Sequence, residues 1–335
     1  MGDAESCGWG EAELHEWLRG RLAVDGAGRQ AGTHDAAVLE QVSGAAVLCC
    51  DRTEEGVHFD SDANPHAIGW KATTRALSDL AATAARPRAV LLSLAAPKER
   101  SNDWMRAVIE GVIDAASQQG AALVGGDLTA RHGGASLVVS AHGLFDPTDA
   151  ASAPPGRDRA LPGQGIFLTG MIGGSLLGRH LAIEPRIAEG IELHAAGATA
   201  MMDVSDGLAI DAGRIALASN VVIELASLPI HADAHKRAAA TGLGAIHHAL
   251  FDGEDHELLA TMTPEAHDRL GPILALPIGQ VLEATPDRPA GVYIPSTWLG
   301  TEPGQCKPTG NADSAVGPEW TRLDPKDGRG WSHGR

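Results

Sequence analysis

The stretch Ala-Ala-Leu-Val-Gly-Gly-Asp at residues 121–127 decides the fold, because a short apolar run ends there in a glycine pair and an aspartate. An apolar run of this length, bounded by turn residues, predicts a buried β-strand. The same pattern recurs at residues 45–51 and 198–203, and each of these runs also ends in an aspartate. Since the copies occur in both halves of the chain, they predict strands that present carboxylates at their ends.

Helical periodicity fills the segments between these strands. Apolar residues spaced three and four apart, with polar residues between them, predict amphipathic helices. Mixed helices and strands indicate an α/β or α+β architecture. We expect helices at 11–22, 66–84, 104–117, 205–219 and directly after the Gly-rich turn 170–174, and further strands at 88–95, 136–145, 165–169 and 221–225.

The length of 335 residues predicts two domains. Residues 146–156 are rich in Pro, Ala, Ser and Asp, which is typical of a linker or loop. We therefore expect one domain at 1–150 and a second at 151–335. The Gly- and Pro-rich stretch after residue 300 is expected to be weakly structured.

Charge and cysteine usage exclude several classes of protein. The net charge of −17 argues against nucleic acid or an anionic membrane as a partner, because phosphate backbones attract Lys and Arg. The four cysteines include no C-x-x-C pair, which disfavours structural zinc and fits a reducing cytoplasm. The start of the chain lacks a signal pattern, and the longest apolar stretch, 165–178, is too short to span a bilayer.

Aspartates in loops and at strand ends are the candidates for chemistry. Mg²⁺ prefers oxygen ligands and is usually held by one or two carboxylates together with substrate phosphates. Each aspartate alone is better explained as a turn residue or a helix cap than as a metal ligand, and Ser205-Asp206-Gly207 could cap the following helix. The six candidates are Asp35, Asp51, Asp79, Asp127, Asp203 and Asp206.

Common nucleotide-binding motifs are absent from the sequence. There is no Walker P-loop, no G-x-G-x-x-G after a strand and no protein-kinase motif set. The pair Gly125-Gly126 allows close backbone approach to a phosphate, or simply a tight turn. His34 and His58 lie beside acidic motifs, although a lone histidine is more often a hydrogen-bonded residue than a ligand.

Taken together, six motifs resemble the thiamine-monophosphate kinase family. They occur in the family's order and extend over almost the whole chain. The histidine at 58, the S-D-L-A-A stretch and the G-E-D-x-E-L stretch make the set specific within the wider aminoimidazole ribonucleotide synthetase superfamily. The motifs are Asp35 to Val38, Asp51 to Phe59, Leu77 to Ala82, Leu123 to Asp127, Met202 to Leu208 and Gly253 to Leu258, with a tail at Gly330 to His333.

The resemblance implies a two-domain synthetase-like fold in which the N-terminal domain forms a homodimer and the C-terminal domain completes the ATP and substrate site. It implies Mg²⁺-dependent transfer of the ATP γ-phosphoryl group to thiamine monophosphate, giving thiamine diphosphate. All six aspartates match positions that hold several Mg²⁺ ions. Gly126, Asp127, Arg157 and Ser205 match ATP contacts, Arg157 with an electrostatic role in the transfer, and His58, Glu254 and Trp331 match substrate contacts.

Several positions depart from the family pattern. The family usually has a second aspartate where this chain has His34, Ser or Thr where it has Cys49 and Cys50, and Tyr where it has His256. A thiol is a poor ligand for Mg²⁺, whereas a backbone carbonyl at the same place would still serve.

Two other readings remain open on the sequence. One is a different member of the superfamily: a selenophosphate synthetase is expected to carry a Lys near Cys7, and a hydrogenase maturation factor a C-terminal Cys, and this sequence has neither. The other is a nucleotide-binding paralogue that has lost turnover, which His34 and the Cys49-Cys50 pair would explain.

Overall fold

The computed structural model describes residues 8–21, 29–30, 36, 38–39, 43–147, 153–270, 275–298 and 319–323. It divides into two compact units. The first unit contains residues 1–80, 85–146 and 181–187, and the second contains residues 81–84, 147–180 and 188–335. Among the described residues, no helix combines the length and the apolar character needed to cross a bilayer.

A four-stranded sheet with the order β3-β6-β4-β5 forms the centre of the first unit. β4 and β5 are parallel and are joined by a helix, as a parallel pair requires, and the other pairings are antiparallel. The elements are α1 (Glu11–Arg21), β1 (Arg29–Gln30), β2 (Val38–Leu39), β3 (Ala45–Glu54), α2 (Pro65–Ala82), β4 (Arg86–Pro97), α3 (Asn102–Gln118), β5 (Ala122–Arg131) and β6 (Ser136–Phe145).

The two faces of this sheet differ in burial. Burial alternates along β3 and β6, so that one face of the sheet is more buried than the other. The buried face packs against α2 and α3, whose apolar stripe includes Val108 and Val112. The opposite face, which we call the open face, carries the exposed apolar side chains of Leu48 and Leu91.

A seven-stranded sheet with the order β13-β12-β9-β11-β7-β10-β8 forms the second unit. Only the β12–β9 pair among these is parallel. The elements are β7 (Gly165–Leu168), α4 (Ile187–Ala196), β8 (Ala200–Asp203), α5 (Leu208–Ser219), β9 (Val221–Leu225), α6 (Ala232–Thr241), α7 (Ala245–Phe251), β10 (Leu258–Met262), α8 (Pro264–Leu270), β11 (Leu276–Glu283), β12 (Gly291–Pro295) and β13 (Trp320–Arg322).

The core of the second unit lies where α5 and α7 pack on this sheet. Leu208, Ile215 and Leu250 of the helices join Met202 and Ile223 of the strands in one buried apolar cluster. β7, β8, β9 and β10 are mostly buried on both faces, so that they read in sequence as continuous apolar runs rather than alternating ones. This burial fixes the end of β8, from which the Met202–Leu208 motif emerges.

The predicted elements are largely confirmed, with three corrections. β3 and β5 do not stop at their aspartates: ladder pairing with β6 and β4 carries the strands on to Glu54 and Arg131, so Asp51 and Asp127 lie inside strands. Only Asp203 ends its strand. The turn 170–174 is followed by short 3₁₀ turns at Ser175–Leu177 and Arg179–Leu181 rather than by an α-helix.

Candidate functional site

Asp51 lies on the helix-covered face of β3. The Nε atom of Arg75, a buried residue of α2, lies 3.9 Å from its Oδ2. Asp79 lies one turn further along α2. The negative charges of Asp79 and Asp51 both act on the thiol of Cys49. Burial raises the pKa of the Cys49 thiol to about 12, and the charges of Asp79 and Asp51 add to this effect. The protonated thiol points to the carbonyl oxygen of Ala76 at 3.0 Å.

Asp127 lies on a different part of the same sheet. Asp51 is in register with Val139 and through it with Leu92 and Gly126, so two strands separate the two aspartates. Three strand spacings amount to about 14 Å. Asp127 occupies the next position after Gly126 and is exposed, toward the open face. The two carboxylates therefore cannot bind the same ion within one chain.

Gly126 brings the backbone of β5 unusually close to β4. Its φ is +157°, and an added Cβ would lie 1.8 Å from the carbonyl oxygen of Leu92. Only glycine fits here without movement of the main chain. Gly126 and Asp127 line a cavity of about 710 Å³ together with Ser140 and His142. The glycine pair thus places peptide groups and one carboxylate on the wall of a cavity.

In the second unit the turn after β8 is held by the buried carboxylate of Asp211 on α5. Its Oδ2 accepts hydrogen bonds from the backbone N–H groups of Ser205 and Asp206, both at 2.9 Å. Arg214 donates to Asp211 at 2.6 Å and also to Asp206. Burial and the charge of Asp203 raise the pKa of Asp211 to about 7, although the charge of Arg214 opposes the shift. Ser205 and Asp206 are thereby presented on a fixed turn.

The loop that carries Glu254 is tied to this turn through the backbone. Glu254 N–H donates to the carbonyl of Ser205 at 2.8 Å, and His256 N–H donates to that of Val204 at 2.8 Å. Gly253 has a φ of +71°, and a Cβ there would lie 2.6 Å from the Ser205 carbonyl oxygen. Two motifs about 50 residues apart in sequence thus form one hydrogen-bonded unit.

His256 is the buried contact between the side chains of these two motifs. Its Nδ1 lies 3.0 Å from Oδ2 of Asp203, and its Nε2 lies 3.8 Å from Oε2 of Glu254. Burial lowers the pKa of His256, but the hydrogen bond to Asp203 and the nearby Glu254 carboxylate outweigh this and raise it to about 9. All three side chains are almost completely buried.

Asp255 points away from this contact into the Gly-rich turn. Its carboxylate accepts hydrogen bonds from Gly173 N–H at 3.0 Å and from Arg179 at 2.9 Å. Burial raises the pKa of Asp255 to about 7, although the Gly173 hydrogen bond and the Arg179 charge oppose the shift. Asp255 therefore fastens the 170–174 turn to the Glu254 loop.

Four predicted site residues remain, and the structure describes two of them. His58 is buried after β3, where its Nδ1 accepts a hydrogen bond from Glu54 N–H at 3.0 Å and its carbonyl accepts one from Lys71 at 2.6 Å. Arg157 lies in a turn and is exposed, and its own backbone carbonyl accepts a hydrogen bond from the Ser219 hydroxyl. Asp35 and Trp331 lie outside the described residues.

The donor groups fit Mg²⁺ better than a softer metal. Among the described residues, no group of three or more His, Cys, Asp or Glu side chains is arranged to hold a metal ion by itself. Mg²⁺ accepts such incomplete protein sites, because it keeps waters and takes substrate phosphates as ligands. Cys49 remains a thiol and points to a carbonyl oxygen, so the groups beside it that can bind a metal are the carboxylates of Asp51 and Asp79.

Sequence reasoning missed Asp211 and Arg214 and treated His256 only as a departure from a pattern. Asp211 and Arg214 are spaced i, i+3 on a helix just after the Ser205-Asp206 turn, which is a signal for a helix-start salt bridge. For His256 no signal in the sequence names Asp203 as the partner, because 53 residues separate them.

Known proteins resemble this chain in sequence and in fold. Residues 33–145 match the AIR synthase related protein, N-terminal domain, which defines the class of fold. Thiamine-monophosphate kinase from Rhodopirellula baltica is 38% identical over 223 residues, covering 65% of this chain and 69% of the relative. The chain belongs to the thiamine-monophosphate kinase family.

Solved structures extend the similarity to both units. The crystal structure of thiamine-monophosphate kinase from Stenotrophomonas maltophilia K279a superposes with a TM-score of 0.73 at 32% identity, covering 85% of this chain and 96% of that one. A structure of AaThiL complexed with AMPPCP and TMP gives a TM-score of 0.63 at 28% identity, covering 88% of this chain and 95% of that one.

Proposed function

We propose that this protein transfers the γ-phosphoryl group of ATP to the phosphate of thiamine monophosphate and forms thiamine diphosphate and ADP. The observation that carries the proposal is the hydrogen-bonded unit of Asp203, Ser205, Asp206 and Glu254, which joins predicted metal, nucleotide and substrate residues in one place. Membership of the kinase family supports the proposal, as does a relative's complex with AMPPCP, an ATP analogue, and TMP.

The phosphoryl transfer does not need a strong general base, because the accepting phosphate oxygen is already ionised near neutral pH. Positioning and charge neutralisation supply most of the rate in phosphoryl transfer. Bound Mg²⁺ would offset the repulsion between the two anionic phosphates. In the first unit Asp51 and Asp79 would hold one ion, and Asp127 would hold a different ion. In the second unit Asp203 and Asp206 would bind Mg²⁺, and Asp35 completes the proposed set.

The remaining assignments concern the two substrates. The glycine pair before Asp127 offers backbone N–H groups to phosphate oxygens, and Ser205 offers a hydroxyl on a fixed turn. The exposed guanidinium of Arg157 would stabilise charge on the transferring group. Glu254 is assigned to thiamine monophosphate together with His58 and Trp331, whose aromatic face suits the cationic thiazolium ring.

The assembly that we propose is a homodimer formed through the open face of the four-stranded sheet. Leu48 is 75% exposed and Leu91 is 43% exposed on that face. Exposed apolar side chains of this size on one face of a sheet are commonly covered by another protein surface. We also propose that residues 1–150 and 151–335 are the two domains, which is supported by the division of the compact units after Asp146. The free thiols of Cys49 and Cys50 support a cytoplasmic location.

A direct assay tests the activity. The purified chain is incubated with ATP, MgCl₂ and thiamine monophosphate, and thiamine diphosphate and ADP are quantified by chromatography. We expect the two products in equal amounts, and none when thiamine replaces thiamine monophosphate, because thiamine lacks the accepting phosphate. Binding of ATP without formation of thiamine diphosphate would refute the proposal and favour a paralogue without turnover.

A further inference from the structure

His256 is in an unusual place for a side chain with two polar ring atoms. It is buried among carboxylates, with Nδ1 3.0 Å from Asp203 and Nε2 3.8 Å from Glu254. A carboxylate that is ionised can only accept a hydrogen bond, so Nδ1 carries the hydrogen and donates to Asp203. The ring therefore fixes the direction of one carboxylate oxygen of Asp203.

The backbone around His256 is held in a conformation that side chains rarely adopt. His256 has a φ of +53° and Glu254 a φ of +57°. Two non-glycine residues in the left-handed region within three positions persist only where their surroundings hold them. Here the backbone hydrogen bonds to Val204 and Ser205 do so. The ring thus enters the Asp203 contact from a fixed backbone rather than from a mobile loop.

The contact joins two residues for which the proposed function gives different roles. Asp203 is assigned to the metal and Glu254 to the substrate, and they come from motifs about 50 residues apart. Side chains that hydrogen-bond a metal-binding carboxylate orient its free oxygen, and their removal weakens metal binding although they never touch the ion. His256 has the geometry of such a residue toward Asp203.

We propose that His256 is a positioning residue that orients the Asp203 carboxylate for Mg²⁺ and holds it at a fixed separation from Glu254. This inference rests on the proposed function in one respect, the assignment of Asp203 to the metal. His256 touches neither the metal nor the substrate in this role. It acts through the hydrogen bond from Nδ1.

The test measures metal binding directly on the full chain, with Mn²⁺ as the spectroscopic probe. Electron paramagnetic resonance titrations with Mn²⁺, with and without a non-hydrolysable ATP analogue, are compared with those of Asp203→Asn, which defines the Mn²⁺ sites that depend on this carboxylate. We expect His256→Leu to raise the Kd of those sites about 10- to 100-fold. His256→Asn keeps an N–H near the Nδ1 position and tolerates a positive φ, so it should restore most of the affinity.

A matched control separates positioning from packing. His248 is also buried in the second unit and also contacts an aspartate, with Nδ1 2.9 Å from Asp252. His248→Leu should lower the melting temperature about as much as His256→Leu does, but it should not weaken Mn²⁺ binding. If His256→Leu does not fold, His256→Gln replaces it, because its amide reaches toward the Nε2 position and leaves Asp203 without a donor.

Three results would overturn the inference: unchanged Mn²⁺ affinity in His256→Leu, equal weakening in His248→Leu, or no recovery in His256→Asn. The kinase assay is independent of these results. A wild-type chain that binds Mn²⁺ through Asp203 but forms no thiamine diphosphate refutes the proposed function alone. A wild-type chain that makes product and whose His256 variants keep wild-type Mn²⁺ affinity refutes the positioning role alone.

Discussion

The candidate site residues of the first unit are spread over a sheet, whereas those of the second unit are joined in one turn network. Asp51 and Asp127 lie on strands that are separated by two other strands, and both are held mainly by strand pairing. Asp203, Ser205, Asp206 and Glu254 are linked by direct hydrogen bonds and by shared partners. The same sequence pattern, an apolar run followed by an aspartate, therefore occurs in two different structural environments. Substitution of the aspartate should affect thermal stability differently in the two units.

The largest expected effect is the loss of turnover when a proposed metal-binding aspartate is replaced. The accompanying change in melting temperature should differ between the two units. Asp127→Asn and Asp203→Asn should each lower kcat about 1,000-fold, which corresponds to about 4 kcal/mol of transition-state stabilisation. Asp127 is exposed, so Asp127→Asn should keep the wild-type melting temperature. Asp51→Asn should lose kcat to a similar extent and should lower the melting temperature slightly, because buried Arg75 loses a nearby charge. Asp203→Asn should also lower the melting temperature, because buried His256 loses its charged partner.

Steady-state kinetics and thermal melts on the same samples measure both effects. Asp114→Asn is the control, since this aspartate of α3 is exposed and its contact is with His66; it should leave kcat unchanged. Near-normal turnover in Asp127→Asn or Asp51→Asn would contradict the metal assignment in the first unit.

The next largest effect concerns the backbone of the first unit. In Gly126→Ala the new methyl group meets the Leu92 carbonyl, so the sheet must open, and we expect a loss of about 3 kcal/mol in the free energy of unfolding. Gly133 also has a positive φ, +87°, but nothing lies within 4 Å of its added Cβ. Gly133→Ala should therefore cost only about 1 kcal/mol. Urea denaturation measures both, and equal losses would contradict the steric argument.

The third effect is on dimer dissociation, and it tests whether a second copy of the chain covers the open face of the first unit. Leu48→Glu places a charge in the proposed dimer interface and should raise the dimer dissociation constant about 100-fold, since a buried unpaired charge costs several kcal/mol. Leu217→Glu is the control, because Leu217 is 56% exposed but lies on α5 of the second unit. Sedimentation velocity distinguishes the two, and a dimer that survives Leu48→Glu would place the interface elsewhere.

The smallest effect belongs to the network of the second unit and depends on pH. Burial raises the pKa of Asp255 from 3.8 to about 7 in the folded chain. Between these values the folded state binds more protons than the unfolded state, so this group makes the free energy of unfolding fall as pH rises. Asn is neutral throughout, so the stability of the wild type relative to Asp255→Asn should fall by about 2 kcal/mol from pH 5 to pH 7. Urea denaturation across this range measures it, and a constant difference would contradict the shift.

Much of the fold follows from local pattern. The limits of β6 and β9 were predicted to the residue, and those of α1, α2 and α3 to within two residues. Burial on one face imposes a period on β6 and the helices, and burial on both faces makes β9 a short apolar run. The ends of β3 and β5 were placed too early. Pairing with neighbouring strands extends both beyond their apolar runs, and strand pairing is not visible in the run itself.

The sequence by itself determined the family, the mixed α/β class and the set of carboxylates, since these depend on residue type, order and spacing. Only the tertiary structure decided which of those groups meet. It placed two strands between Asp51 and Asp127, and it brought His256 to Asp203 across 53 residues. The physical reason is that hydrogen bonds and burial act over a few ångströms in space, and the sheet order, not the distance along the chain, sets which residues come that close.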